Sequence, residues 1–585
     1  MTGGFIMNKE EMKRLLEVAS GKAPADTVFK NATVVDVFNK ELFVSDVYIK
    51  DGRIAGFGGA NFSTPLTSID CKECYIVPGL IDAHVHIESS HCSPSAFCDA
   101  VVPFGTTTIV ADPHEICNVS GIAGLDYMLE ATQETPLQAF FMVPSCVPAT
   151  NSEHSGAIMD SSSIASRINH ERVLGLGEMM NFPGVIGGDD EVLQKLMVAK
   201  EAKKVVDGHS PGIFNGDLDA YSASGILTDH ECENPIELVD RIRRGMYVML
   251  RQGSACENVL PLLQGVSKNN MEYCLFCTDD KQPESILKEG HINYNVNLAI
   301  SAGINPIDAI AIATINAAKC YGLHDRGAIA PGRRADFFIT DDISLINPKE
   351  VYIAGKLVAK NGKMIEKSVA ITPKGVSGKV NVKNFTDTSL ILPLASHHVR
   401  VIDIVPGGVY TRKGEGIVNV EKGNWVHNPD QDILKLAVIE RHHGTGYIGK
   451  ALIRGYGLTH GAVGTTIAHD SHNIIVIGNN DEDMVKVVRS LITMGGGISM
   501  AKNGEIIGSL AHPIAGLMSD ESLLTVHQKL VELHEKASTE LGVKSTIDPF
   551  MTLSFMALPV IPELKLTDMG LFDVTSFSFV DLEID

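Results

Sequence analysis

GLIDAHVHIE, residues 79–88, is an apolar run that ends in two histidines set two apart, His84 and His86. A strand projects alternate side chains from the same face, so these two imidazoles lie together, suited to gripping one ion. Alone the pair is weak, because two hydrogen-bonded strand histidines give the same pattern. The neighbouring sequence gives it meaning. Seven further apolar runs follow, alternating with helical patterns: TTTIVADPHE from Thr106, QAFFMVPSC from Gln138, VLGLGEMM from Val173, VVDGHS from Val205, GILTDHEC from Gly225, YVMLRQGS from Tyr247 and YCLFCTDD from Tyr273. Eight βα units over a little more than about 200 residues predict an α/β fold built on a TIM-like (β/α)8 barrel, here over residues 76–324.

The runs share a second property: polar and ionisable residues gather at their C-terminal ends, where TIM-barrel active sites lie. In order these are His84 and His86, Asp112 and His114, Ser145, Glu178, His209, His230 and Glu231, Arg251 and Gln252, Asp279 and Asp280. Two strand-end histidines and a strand-end aspartate beyond the first pair supply what a mixed imidazole and carboxylate metal site requires. The stretch NLAISAGINPIDAIAIATINAAKCYGL from Asn297 has the periodicity of a barrel-covering helix.

Two pieces with local similarity flank the barrel, VYIKDGRIAGFG from Val47 and VYIAGKLVAKNG from Val351. Each reads as strands around a tight glycine turn, so residues 25–75 and 325–375 are expected to form one composite β-sandwich. Residues 1–24 read as an N-terminal helical segment. The polar stretch ITPKGVSGKVNVKNFTD from Ile371 reads as a linker to an α+β domain over residues 385–585.

Composition narrows the function classes. With 585 residues the chain exceeds a single core, and a net charge of −22 repels polyanions, so nucleic acid is not expected as a partner. The first twenty residues lack an apolar signal region, and no run of about 18 apolar residues suggests a membrane span, so a cytoplasmic location is expected. Eleven scattered cysteines read as free thiols. Cys71 with Cys74 and Cys274 with Cys277 have zinc-knuckle spacing internally, but the two pairs stand some two hundred residues apart, and both sit in strand-like apolar runs.

At these residues the barrel resembles the amidohydrolase superfamily. The resemblance implies one or two divalent metals held by His84, His86, His209, His230 and Asp279. In many members a carboxylated lysine on the fourth strand bridges the pair; here VLGLGEMM has no lysine and offers Glu178. A carboxylate has two oxygens and can bridge two cations, so a two-metal site is expected. Mononuclear deaminases of the superfamily carry a glutamate soon after the fifth-strand histidine, whereas SPGIFNG follows His209.

The closer resemblance is to the bacterial adenine deaminase family. It is carried by PGLIDAHVHIESS, VADPHEICNV, GLGEMMNFPGVI, DGHSPG, TDHEC and FCTDDKQPE in the barrel. In the last domain TTIAHDSHNIIVIGNNDEDM and IDPFMTLSFMALPVIPELKLTDMGLFDV carry it further. It implies hydrolysis of adenine to hypoxanthine and ammonia by a metal-activated hydroxide, in purine salvage, with manganese favoured and iron or zinc possible. Asp279 is expected to take the proton, with His230 and Glu231 assisting. Asp280, His114 and Glu115 are expected to contact the purine, with turn or cap roles as the plain alternatives. His469, Asp470, Ser471 and His472 fit either a lid over the barrel mouth or a surface turn. A homodimer is expected, closed twofold symmetry being commonest.

Two other readings stay open from the sequence. One is an amidohydrolase acting on a cyclic amide or an N-acyl amino acid, whose carboxylate would call for a cation such as Arg251. The other is a metal-binding scaffold without catalysis. A cytidine-deaminase zinc site is set aside, because the HxE at His86–Glu88 lacks its PCxxC partner.

Overall fold

The computed structural model describes residues 7–58, 64–406 and 409–584. Eight parallel strands form the barrel: β1 (Leu80–Val85), β2 (Thr106–Ala111), β3 (Gln138–Val143), β4 (Val173–Met179), β5 (Val205–Gly208), β6 (Thr228–Asp229), β7 (Tyr247–Arg251) and β8 (Cys274–Cys277). Strands β1 to β5 pair in sequence order, as do β6 to β8. The Leu227 N–H donates to the Val206 carbonyl at 2.9 Å across one seam. The other seam is joined by Asp279 N–H to the His84 carbonyl at 3.0 Å and His86 N–H to the Asp279 carbonyl at 3.2 Å. Parallel strands buried on both faces need continuous apolar sequence, and β1, β2, β4 and β8 are buried along their whole length.

The barrel interior is packed. Ile81, Val110, Phe140, Met142, Met249 and Leu275 meet Ala317, Tyr321 and Leu323 in one apolar cluster, so the segment after β8 plugs the end opposite the site. The Tyr321 hydroxyl lies 2.9 Å from the Ala83 carbonyl and 2.8 Å from Asp207 Oδ2. The expected covering helix is broken into Ile292–Ser301, Pro306–Ala311, a π-helical turn at Ile312–Asn316 and Ala317–Cys320. Asn305 caps the second of these, with Pro306 at its first position.

The two flanks meet in one nine-stranded sheet. Tyr75–Pro78 from before the barrel pairs with Phe337–Thr340 from after it, Ile76 opposite Ile339. The sheet folds over one core in which Phe29, Phe337 and Tyr352 pack ring to ring at 5.0 Å. The N-terminal helix, Lys9–Ala19, is closed by a capping box of Asn8 and Glu11 and buries Leu15 and Val18. The first six residues of the expected helical segment lie outside the described residues. Cys71 is buried in the flanking sheet's core, and Cys274 and Cys277 in the barrel.

No helix or strand forms between Met364 and His398. The last domain then builds an eight-stranded sheet in the order β10 (Thr411–Ile417), β9 (His398–Ile404), β12 (Ile448–Arg454), β11 (Ile433–Ile439), β14 (Ile474–Gly478), β13 (Ala462–Thr465), β15 (Gly497–Lys502) and β16 (Glu505–Ala511). Its helices Asp481–Met494 and Leu523–Thr539 pack on that sheet, and the second also meets the barrel helices Pro94–Val101 and Pro283–Glu289. No helix among the described residues is long and apolar enough to cross a membrane.

Beneath the ends of β5 and β6 lies a fully buried ion pair. Arg241 Nε donates to Asp229 Oδ2 at 3.0 Å and its Nη2 to the Ser210 carbonyl at 2.7 Å. Both side chains are wholly excluded from solvent. Removing one partner leaves the other charged and unpaired in the interior, which costs about 3–5 kcal/mol. Arg241→Leu is expected to lower unfolding free energy by that amount, read from urea denaturation followed by circular dichroism.

Candidate active site

The barrel's strand ends converge on one buried centre. His84 and His86 turn their Nε2 atoms toward each other at 3.1 Å. Asp279 Oδ1 stands 3.4 Å from the first and 3.0 Å from the second. His86 Nδ1 donates to the Asp112 carbonyl at 2.8 Å, which keeps that nitrogen's proton outward and leaves the Nε2 lone pair facing the centre. Asp279 itself sits at φ 58°, a left-handed conformation that aspartate tolerates better than most residues.

Glu178, at the end of β4, joins two groups of imidazoles. Its Oε1 is 3.0 Å from His114 Nδ1, 3.5 Å from His86 Nε2 and 4.0 Å from His84 Nε2. Its Oε2 is 2.9 Å from His209 Nδ1 and 3.2 Å from His230 Nε2. Burial by itself would push this carboxyl up, but the surrounding imidazoles of His114, His209 and His230 hold it well below the usual carboxylate range. Asp279 is likewise held low against burial, by His84, His86 and Arg251.

The side chain is aimed by close packing. The Glu178 N–H donates to Asp112 Oδ2 at 2.8 Å. A Cβ on the preceding Gly177 would stand 2.2 Å from that same oxygen, so only glycine lets the strand approach Asp112.

The donor set fits divalent cations. His84, His86 and Asp279 form one group able to hold an ion; His84, Glu178 and His230 form a second, and His86, His114 and Glu178 a third. All are buried, and His114 Nδ1 has no aligned hydrogen-bond partner although Glu178 is 3.0 Å away. Imidazoles and carboxylates crowded with their lone pairs inward form the ligand chemistry of borderline divalent metals.

The other residues singled out from the sequence have different surroundings. His114 faces Glu178 in a donor group, where a purine contact was expected. Glu231, expected to assist catalysis, stands at the cluster, its Oε1 3.5 Å from His209 Nδ1 and 3.3 Å from His230 Nε2 in a further group able to hold an ion. It also grips Arg251 with both oxygens at 2.5 and 3.1 Å. Burial raises its proton affinity, but Arg251 and His209 overcome this and keep it ionised. Arg251 also donates to Asp279 Oδ2 at 2.9 Å, so its charge is already neutralised. Asp280 accepts a short hydrogen bond from the Ser89 hydroxyl. Burial, then the charge of Asp279, pushes its carboxyl up.

Glu115, expected at the purine, reaches across to the last domain, with Oε1 3.2 Å from His469 Nδ1 and Oε2 4.0 Å from His472 Nε2. These three are close enough to surround an ion. However, His472 Nδ1 accepts the Ala468 N–H at 3.3 Å, so the ring's proton sits on Nε2 and that nitrogen has no lone pair for a metal.

Beside the donors opens a pocket shared by both domains. Ser89, Glu115 and Asp280 wall it from the barrel; His469, Phe550 and Phe555 wall it from the last domain. The sequence reading missed the two phenylalanines. They follow no barrel period, and the stretch that holds them was read only for its family likeness.

The fold and its donor cluster define a metal-dependent hydrolase of the amidohydrolase type, and the amidohydrolase family model matches residues 75–371. The model of the adenine deaminase C-terminal domain matches residues 408–578. Adenine deaminase 2 of Desulfotalea psychrophila is 50% identical over 99% of this chain and 100% of its own length. The adenine deaminase of Bacillus licheniformis is 44% identical over 99% of this chain and 100% of its own. That of Clostridium acetobutylicum is 44% identical over 97% and 99%. The chain belongs to the adenine deaminase family of amidohydrolases.

Because Gly177 lets Asp112 position Glu178, Gly177→Ala is expected to weaken divalent-metal affinity about 10- to 100-fold, the range typical of residues that orient ligands. Competition against a chelator of known affinity measures it.

Proposed function

We propose that this chain hydrolyses adenine to hypoxanthine and ammonia. One observation carries the reading: Glu115 and Asp280, the residues next to the donors His114 and Asp279, line a pocket roofed by the domain that the adenine deaminase C-terminal model matches. In this proposal two divalent ions would be held, by His84, His86, Glu178, His209, His230 and Asp279. Manganese is the metal we favour, with iron or zinc compatible with the same ligands. Divalent ions held there lower the pKa of a bound water toward about 7, supplying hydroxide at neutral pH.

The chain's own residues account for proton handling and positioning. Asp279 Oδ2 accepts from Arg251 and Oδ1 faces His84 and His86, and in this proposal that carboxylate takes the proton of the attacking water. Asp280 has one oxygen engaged by Ser89 and its other free for a purine N–H. Ile467, Leu530, Phe550, Met551 and Phe555 offer apolar walls to a flat heterocycle. Neither a carboxylate-bearing amide nor an N-acyl amino acid finds a free cation in Arg251, which Glu231 and Asp279 neutralise. The setting we propose is purine salvage in the cytoplasm, by a homodimer.

Manganese-loaded protein is expected to release ammonia from adenine, with the ultraviolet change to hypoxanthine, and to leave adenosine unchanged. Glu178→Gln should lose about 100-fold or more in kcat/KM, at least the cost of disturbing a ligand's support. Chelation should abolish turnover, and manganese should restore it. A manganese-loaded parent that releases no ammonia from adenine overturns the assignment.

A further inference from the structure

We propose that His469, a residue of the C-terminal domain, hydrogen-bonds a ring nitrogen of the purine through Nε2, and that Glu115 of the barrel sets the ring's orientation. The inference rests on the adenine reading above and deepens it by naming a specificity-determining residue outside the barrel.

Three observations place His469 in this role. Its Nδ1 faces Glu115 Oε1 at 3.2 Å. A carboxylate only accepts, so Nδ1 carries a proton. Burial is outweighed by Glu115, Asp280 and Asp470, which raise the ring's proton affinity and favour a second proton on Nε2, and that N–H is left to donate to a ring nitrogen. The ring forms part of the pocket wall and keeps 12% of its side-chain surface accessible. Phe555 stacks on it at 4.5 Å between centroids and 23° between planes, which fixes the imidazole plane.

Glu115 is well held for this task. It stands in the first turn of the helix His114–Ser120, shortly after β2 and next to the donor His114. His472 directs its Nε2–H toward the second carboxylate oxygen from 4.0 Å, and that nitrogen is buried without another partner. The pair therefore spans the seam between domains, with the acceptor on the barrel and the imidazole on the roof. Asp280 lines the same pocket from the other domain, so the two side chains can address different edges of one flat ring. Glu115 acts through His469 and is a positioning residue.

The experiment measures binding, so that it does not depend on turnover. Calorimetry on the manganese-loaded full-length chain gives affinities for purine and for 1-deaza-, 3-deaza- and 7-deazapurine, none of which has an amine to lose. His469→Ala should weaken purine binding about 10-fold, the worth of one hydrogen bond. It should leave unchanged the affinity for the one analogue that lacks the contacted nitrogen. His469→Gln should recover part of the loss. Glu115→Gln should reproduce the same analogue pattern and add nothing to His469→Ala. Equal weakening of all four ligands, or of none, overturns the proposal, as does a parent that binds no purine. Adenine turnover by the parent separates these results from a failure of the adenine assignment.

Discussion

A buried carboxylate shared between two sets of imidazoles is the constraint on which the rest of this molecule depends. Glu178 lies where a lone anion would be driven to take up a proton, and only the ring nitrogens on either side keep it charged. Those rings come from the ends of β1, β5 and β6 and from the turn after β2, so the centre exists only when the barrel is closed. Closure in turn depends on the last strand meeting the first, and the backbone bonds between Asp279 and the His84–His86 segment make that seam. The same few atoms join the sheet and point the donors.

Support beneath the centre follows the same logic. Asp112 holds the Glu178 backbone with its side chain and the His86 ring with its carbonyl, serving both halves of the cluster. Arg251 occupies one oxygen of Asp279 and both of Glu231, so a strand-end cation that looks like a substrate clamp instead neutralises two anions. Charged groups at this depth are tolerated because each has a partner or a place for a metal.

The second domain supplies what a barrel mouth lacks. Strand ends bring polar donors together but leave the mouth open to water, which weakens electrostatic interactions. Roofing it with Phe550, Phe555 and their apolar neighbours produces a slot suited to a planar heterocycle, and the Glu115–His469 contact ties roof to barrel. The domain is therefore part of the site.

How much of this was legible in the sequence depends on how far apart the partners lie. His84, His86, Glu178, His209, His230 and Asp279 end apolar runs, and parallel strands around a barrel must deliver such ends to one rim. The sequence by itself determined the α/β barrel, the ligand chemistry of its rim and, through its likeness over nearly the whole chain, the family. It could not determine what His114, Glu115, Glu231 and Arg251 do, because each meets a partner from a distant segment: Glu178, His469, Arg251 and Asp279. Nor could it show that Phe555 and His469 line the same pocket as Asp280, since no period links residues on separate domains. Side-chain pairing across those distances is set by how the domains pack, and that is why only the tertiary structure decided it.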